Sequence, residues 1–255
     1  MIEPLDKFKE AKLKVRWAQI HIYKLIDQYS AFLASEAAQA TILQDEKTGS
    51  HHLELQAPQE LMPKVALIVG DVVHNLRTAF DYISIGITGI EAMSLPVGRR
   101  KSDLLALKRY KEIRQVNSTL ADFIVDEIQP YHRGRYMLWE LSELDRLDKH
   151  RLILPTIQHV HRLGMILEDA NGKTLENRWV SNQSSLGARV LPGDGPFKIR
   201  DQGQSGISVS FGPGTPFNNE PVLETLDRLV ECAPRAIQAF EEFYFGKNSD
   251  ADSSE

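Results

Sequence analysis

The chain has 255 residues, 42% of them hydrophobic and 25% charged, with a formal net charge of −5. That length supports one large domain or two modest ones with a real core, and the acidic balance argues against a broad non-specific nucleic-acid coat while allowing a local basic patch. One cysteine, Cys232, excludes an intramolecular disulfide and makes a cytoplasmic location the expectation.

Met1-Ile2-Glu3-Pro4 has no basic stretch leading into an apolar run, so no signal peptide is expected. No run of about eighteen apolar residues suggests a membrane span. Residues 5–40 read as one long amphipathic helix, with Leu5, Phe8, Leu13, Val15, Trp17, Ile20, Ile22, Leu25, Ile26, Tyr29 and Leu33 as its apolar side. Thr48-Gly49-Ser50 signals a turn, and His52-Leu53-Glu54-Leu55-Gln56 alternates like a short strand. Pro58 or Pro63 then opens a second helix, since proline is tolerated in a first turn. Its apolar residues, Val65, Val69, Val72, Leu76, Phe80, Ile83 and Ile87, keep helical spacing.

Pro96-Val97-Gly98 breaks the chain. Ser102 or Asp103 can cap a third helix running to about Ile128, ended by Gln129-Pro130. A fourth helix spans about Arg135 to Leu152 and stops before Pro155. Beyond it, short strands are expected at 156–161, 165–167, 178–180, 197–199 and 206–211, separated by turn-forming Gly, Asn, Asp and Pro. A last helix from about Asn219 to Phe245 is expected to kink at Pro234. The polar, acidic residues 247–255 are expected to be disordered.

The fold class that follows is α+β. A mainly helical bundle of four or five helices occupies 1–155, a small antiparallel β-rich insertion 156–212, and a closing C-terminal helix 213–246 packs back on the bundle.

Chemistry concentrates in the second helix. At about 100° per residue His74, Arg77 and Asp81 gather within roughly 60° on the side away from the main apolar stripe. Arg77 and Asp81 at i and i+4 also make an ordinary surface ion pair. The almost wholly apolar residues 83–90 argue instead that this helix is buried on more than one side, so its polar stripe needs partners. Asp148 and Arg151 supply them, because both fall within the apolar arc of the fourth helix, while His150 lies opposite near Glu143 and Arg146. The expected pairing is Asp148 with Arg77 and Arg151 with Asp81, in one cluster beside His74. Such a cluster serves either as a site or as a buried network that fixes helix register.

Asp71, His74, Asp81, Asp148 and His150 include metal-ligand types, yet no His-Glu-x-x-His spacing occurs, so neither a metal nor a cofactor is expected. His51, His52, His159 and His161 read as exposed turn or sheet residues. Pro192-Gly193-Asp194-Gly195-Pro196 and Gly212-Pro213-Gly214-Thr215-Pro216 lack the Gly-Lys-Ser/Thr ending of a phosphate loop and read as turns. Arg99, Arg100, Lys101, Lys108, Arg109, Lys111 and Arg114 form a basic cluster, either a solvated face or a contact for phosphate backbone.

The stretch Gly70-Asp71-x-x-His74-Asn75-Leu76-Arg77-Thr78-Ala79-Phe80-Asp81, followed by Leu147-Asp148-Lys149-His150-Arg151, resembles an uncharacterised family of bacterial and phage-associated proteins. Similar His-Asn-Leu-Arg-Ser-Ala-Leu-Asp-His and Asp-Lys-His-Arg blocks occur there. The likeness covers about residues 65–155 and implies no established activity. Leu76-Arg77-Thr78-Ala79-Phe80-Asp81-Tyr82 also resembles the Arg-Asn-Ala-Leu-x-His signature of HEPN domains, helical bundles that often act as metal-independent RNases. Here Tyr82 stands where that signature has histidine, and a tyrosine with a pKa near 10 is a poor proton shuttle near neutrality.

Under this resemblance Arg77 is expected to hold the scissile phosphate, with Asp81 beside it, and His74 or His150 moves protons. Asn75, Tyr82, Asp148, Arg151, Arg99, Arg100 and Lys101 are then binding residues, and the protein is an RNA-binding or RNA-cleaving module of the stress- or phage-defence type. The alternative is a non-enzymatic interaction or structural protein, with a protein partner or further copies of itself and no membrane.

Overall fold

Phe8, Ala11, Val15, Ala18, Ile22, Leu25 and Tyr29 recur at alternating steps of three and four residues, and all are buried. On a helix with 3.6 residues per turn that is a single seam, and it defines α1, Pro4–Ala34. The structure is a computed structural model and describes residues 4–35, 39–55, 61–153, 155–182, 189–191 and 195–251.

Only part of the expected apolar side of α1 faces the core. Leu13, Trp17, Ile20 and Ile26 point outward, together with Tyr23. The helix also ends earlier than expected. Ala40–Gln44 forms β1 and pairs antiparallel with β2, His51–Leu55, around the Thr48-Gly49 turn. Residues 34–40 are helix-forming in composition without an apolar period, and strand pairing decides Ala40.

The second helix, α2, spans Leu61–Thr88 and carries Pro63 in its first turn; Pro58 lies outside the described residues. It runs antiparallel to α1, since Lys14 meets Asn75 while His21, further along α1, meets Asp71, earlier on α2. Fourteen of its 28 residues are buried, which makes it the central helix, as residues 83–90 implied.

The expected helix from Ser102 to Ile128 is divided. It comprises α3 (Lys101–Ala106), α4 (Lys108–Val116), α5 (Ser118–Phe123) and a π-helical turn at Ile124–Ile128. Leu107 and Asn117 take extended backbone between these pieces. The Asn117 side chain accepts the Leu120 N–H at 2.9 Å, so a capping residue restarts the helix where periodicity alone would carry it through. Gln129, left-handed at φ 54°, ends the π turn. The next helix, α6, is Leu138–His150, entered through left-handed Met137.

Two strands expected at 156–161 and 165–167 are one, β3, Thr156–Glu168. β4, Thr174–Asn182, pairs along one edge. Along the other edge lie β6, Lys198–Asp201, and then β7, Gln204–Ser210. Gly164 and Gly203 sit at the irregularity with positive φ, and a Cβ on Gly203 would lie 2.3 Å from the Leu163 carbonyl oxygen, so this bend requires glycine.

A separate three-stranded sheet has the order β1-β2-β5, with β5 at Arg189–Val190. It therefore takes two strands from the helical half and one from the β-rich segment. Ala40, Leu53, Met165, Leu167, Leu191 and Phe197 form a small core of their own.

The last helix, α7, runs Val222–Ala251 and continues through Pro234. Residues 192–194 and 252–255, where a turn and part of the acidic tail are expected, lie outside the described residues. Helices dominate and the small sheets are antiparallel, so the class is α+β. Among the described residues no helix is long and apolar enough to cross a membrane.

Candidate functional site

The polar stripe of α2 divides between two neighbours. Arg77 lies on the side facing the segment after α2. Its guanidinium donates to Asp81 Oδ1 at 2.6 Å and to the Leu95 carbonyl at 2.9 Å, while the Leu95 N–H donates to the same Asp81 oxygen at 3.1 Å. Only 14% of the Arg77 side chain is exposed. The pair clamps the extended residues Met93–Leu95 onto α2 and satisfies backbone groups that no sheet or helix engages.

The expected partners across the helices are therefore replaced. Arg77 does not meet Asp148, and Arg151 does not meet Asp81. Arg151 is exposed at the end of α6, with its guanidinium against Gly214. The reason is angular: Arg77 lies about 60° around α2 from His74, far enough to reach the Leu95 backbone instead of α6.

The residue of α6 that meets the stripe is Asp145, one turn before Asp148. His74 Nδ1 lies 3.3 Å from Asp145 Oδ1, and Lys149 Nζ donates to Oδ2 at 2.6 Å. Asp145 is 7% exposed and His74 57%. A carboxylate at Nδ1 fixes the proton on that nitrogen and turns Nε2 outward. Asp145 shares the helical arc of Leu141 and Asp148, so the sequence signal that singled out Asp148 applies equally to it.

Asp148 is half-buried against Gly70. A Cβ on that glycine would lie 2.5 Å from Asp148 Oδ2, so a missing side chain on α2 makes room for the carboxylate. No cation of the described residues pairs with it. Burial, with the charges of Asp145 and Asp71 added, raises its pKa above the usual aspartate value, while His74 pulls the other way. Asp71 itself is exposed and lies 3.5 Å from His21 of α1, whose pKa is lowered by burial against the opposing pull of Asp71. The surroundings of His74 are thus rich in carboxylates, an unwelcoming field for a phosphodiester. Among the described residues no group of three or more His, Cys, Asp or Glu is arranged to hold a metal ion.

Asn75 and Tyr82 face α1 rather than this cluster. Asn75 donates to the Asp71 carbonyl at 2.7 Å and accepts from Lys14 at 3.1 Å, and Lys7 stands 5.1 Å over the Tyr82 ring. Both residues line a cleft of about 600 Å³ with Leu13, Lys14 and Trp17. His150 is exposed at the end of α6, and Arg146 beside it is paired with Glu143 at 2.9 Å.

Five of the seven cations of the basic cluster pair with four carboxylates, Arg99 and Lys111 being the exceptions among the described residues. Arg100 pairs with Asp103, Lys101 with Asp126, Lys108 and Arg109 with Glu112, and Arg114 with Asp122. Arg99 has no ionic partner among the described residues. It lines a cleft of about 500 Å³ with Trp139, Ser142 and Gly214.

Sequence reading also missed Glu140. It is 7% exposed, its Oε1 lies 2.8 Å from His132 Nδ1 and accepts the Arg133 N–H, and its Oε2 is buried without a partner. Its apolar neighbours on α6 gave no sign of a buried carboxylate. Comparison with protein-family models, with curated proteins and with solved structures finds no match to this chain.

Proposed function

We propose that this protein is a non-enzymatic interaction module of the cytoplasm, in which the His74, Arg77 and Asp81 stripe fixes how helices and loop pack. The observation that carries the reading is the position of Arg77. A guanidinium bound on one side by Asp81 and on the other by the Leu95 carbonyl is not available to a scissile phosphate. The pairing of most of the basic cluster with carboxylates supports the same reading. The test is purified protein incubated with total RNA, with and without EDTA. Intact RNA in both samples is the expected outcome, and EDTA-resistant cleavage lost in His74→Ala overturns it.

A second reading has one observation in its favour. The buried Asp145 orients His74 as a proton-transfer histidine is oriented, with the far ring nitrogen free. On that reading the chain is a HEPN-like module that binds RNA or cleaves it without metal, in stress or phage defence. His74 is then the proton shuttle, and Arg77 only a positioning residue. Overexpression should inhibit growth, and His74→Ala should relieve that inhibition in a protein that still folds.

A further inference from the structure

The outward face of α1 carries a second helical seam outside the core, whose Leu13 and Trp17 border the open cleft over Asn75 and Tyr82 and whose Trp17 ring meets His21 and Lys24 of its own helix. Asp6, Glu10, Leu13, Trp17, Ile20, Lys24 and Asp27 follow steps of three and four residues, offset from the buried seam. Leu13 is 60% exposed, Trp17 50% and Ile20 41%. Three large apolar side chains in consecutive turns of one exposed face are more than the scattered surface hydrophobics of a monomer.

The seam is symmetric in position about Trp17. Turned end for end about that residue, Trp17 falls opposite Trp17, Glu10 opposite Lys24, and Leu13 within one residue of Ile20 on the same side. We infer that α1 is a self-complementary docking surface for a second copy of this chain, with the two helices antiparallel across a two-fold axis at Trp17. An isologous interface requires that residues on one copy meet those related to them by reversal on the other, and this seam does so for Glu10 with Lys24 and for its central apolar residues. Interlocked apolar side chains form its centre, and two Glu10–Lys24 ion pairs flank them, formed as Glu10 turns from Lys7 of its own helix, 2.6 Å away, and Lys24 from the Trp17 ring. Lys9, 3.6 Å from Asp6 of its own helix and one position from the seam, neutralises that aspartate where it approaches Asp27 of the second copy.

A lipid surface fits less well. Asp6, Glu10 and Asp27 lie on the same face as the apolar residues, and an anionic bilayer repels them. The interface deepens the interaction reading by naming a partner. Its readout is an oligomeric state, so it and the RNA test fail separately.

The experiment is sedimentation velocity on the full chain from low to high micromolar concentration, with thermal melts to confirm folding. Wild type should dimerise reversibly, and Trp17→Asp should weaken the dimer by about 30-fold or more, as expected for a central aromatic anchor. Glu10→Lys and Lys24→Glu should each weaken it several-fold, and the Glu10→Lys/Lys24→Glu double variant should restore it, because the exchange preserves both pairs. Val116→Asp, at an apolar residue of α4 that is 58% exposed, should leave it unchanged. A wild type that stays monomeric overturns the inference. So does a dimer indifferent to Trp17→Asp, and so does a monomer that instead binds phosphatidylserine vesicles.

Discussion

The two longest helices of the bundle's first half, α1 and α2, lie side by side and use their surfaces in opposite ways. Half of α2 is buried, and its polar residues on that background are bound in place: Arg77 by Asp81 and Leu95, His74 by Asp145, Asn75 by Lys14. α1 buries one seam and turns a second, apolar one outward. The motif-bearing helix is the one already satisfied, whereas the helix without a motif retains unsatisfied surface. Residue chemistry points to α2, and exposure points to α1.

The sharpest way to break this contrast is a pair of leucines. Leu76→Ala in α2, where Leu76 is fully buried, should cost about 3–4 kcal/mol in urea unfolding. Arg77→Ala comes next, at about 2–3 kcal/mol, since it leaves Asp81 without its cation and the Leu95 carbonyl without a donor. That loss corresponds to a Tm fall of roughly 5–10 °C for a chain of this size. Loss of Arg77 without a change in Tm would remove the clamp from the account.

Gly70→Ala should cost about 1–2 kcal/mol, because its methyl group occupies the space of the Asp148 carboxylate. Combining it with Asp148→Ala should recover most of that loss.

Asp148→Asn is expected to act in the opposite direction. The folded-state pKa of Asp148 is raised, so ionising it opposes folding: the penalty is absent below the unfolded aspartate pKa, grows as pH rises through the folded value, and stays at neutrality. The variant should therefore be slightly more stable than wild type at pH 7, with partial solvent screening keeping the gain small, and equal to it in acid. A destabilised Asp148→Asn at neutral pH would mean that the carboxylate has a cation partner after all. The smallest effect belongs to α1: Leu13→Ala, measured at concentrations too low for association, should change stability by less than about 0.5 kcal/mol.

Much of the architecture was legible because it rests on period and punctuation. The long stripe of α2, the break at Pro96-Val97-Gly98 and the strands after Pro155 all follow from residues that act locally. What was not legible depends on direction in three dimensions. The apolar residues of α1 read as one side because Leu13 and Trp17 differ from Val15 and Ile22 only in angle, and a helix with two apolar faces hides its division in composition. The α2 stripe was found, and so was its need for partners, but the partner of Arg77 is a backbone carbonyl, Leu95, which carries no sequence signature. Asp145 and Asp148 satisfy the same pattern. Which of them meets His74 is set by the seating of α6 along α2, and one turn of difference moves the contact from one aspartate to the other.

The joining of β2 to β5 bears on the order in which the molecule assembles. The β1–β2 hairpin closes over a short turn and can form early, but its third strand pairs His52 with Val190, a contact between distant parts of the chain. Contacts that far apart in sequence close late, after a costly loop has been gathered. Until then one edge of β2 presents unpaired backbone groups, a template for the wrong neighbour. A fragment ending near Pro155 would keep that edge open permanently, so dissection at the helix-to-strand transition should give a sticky product where the whole chain gives a clean one.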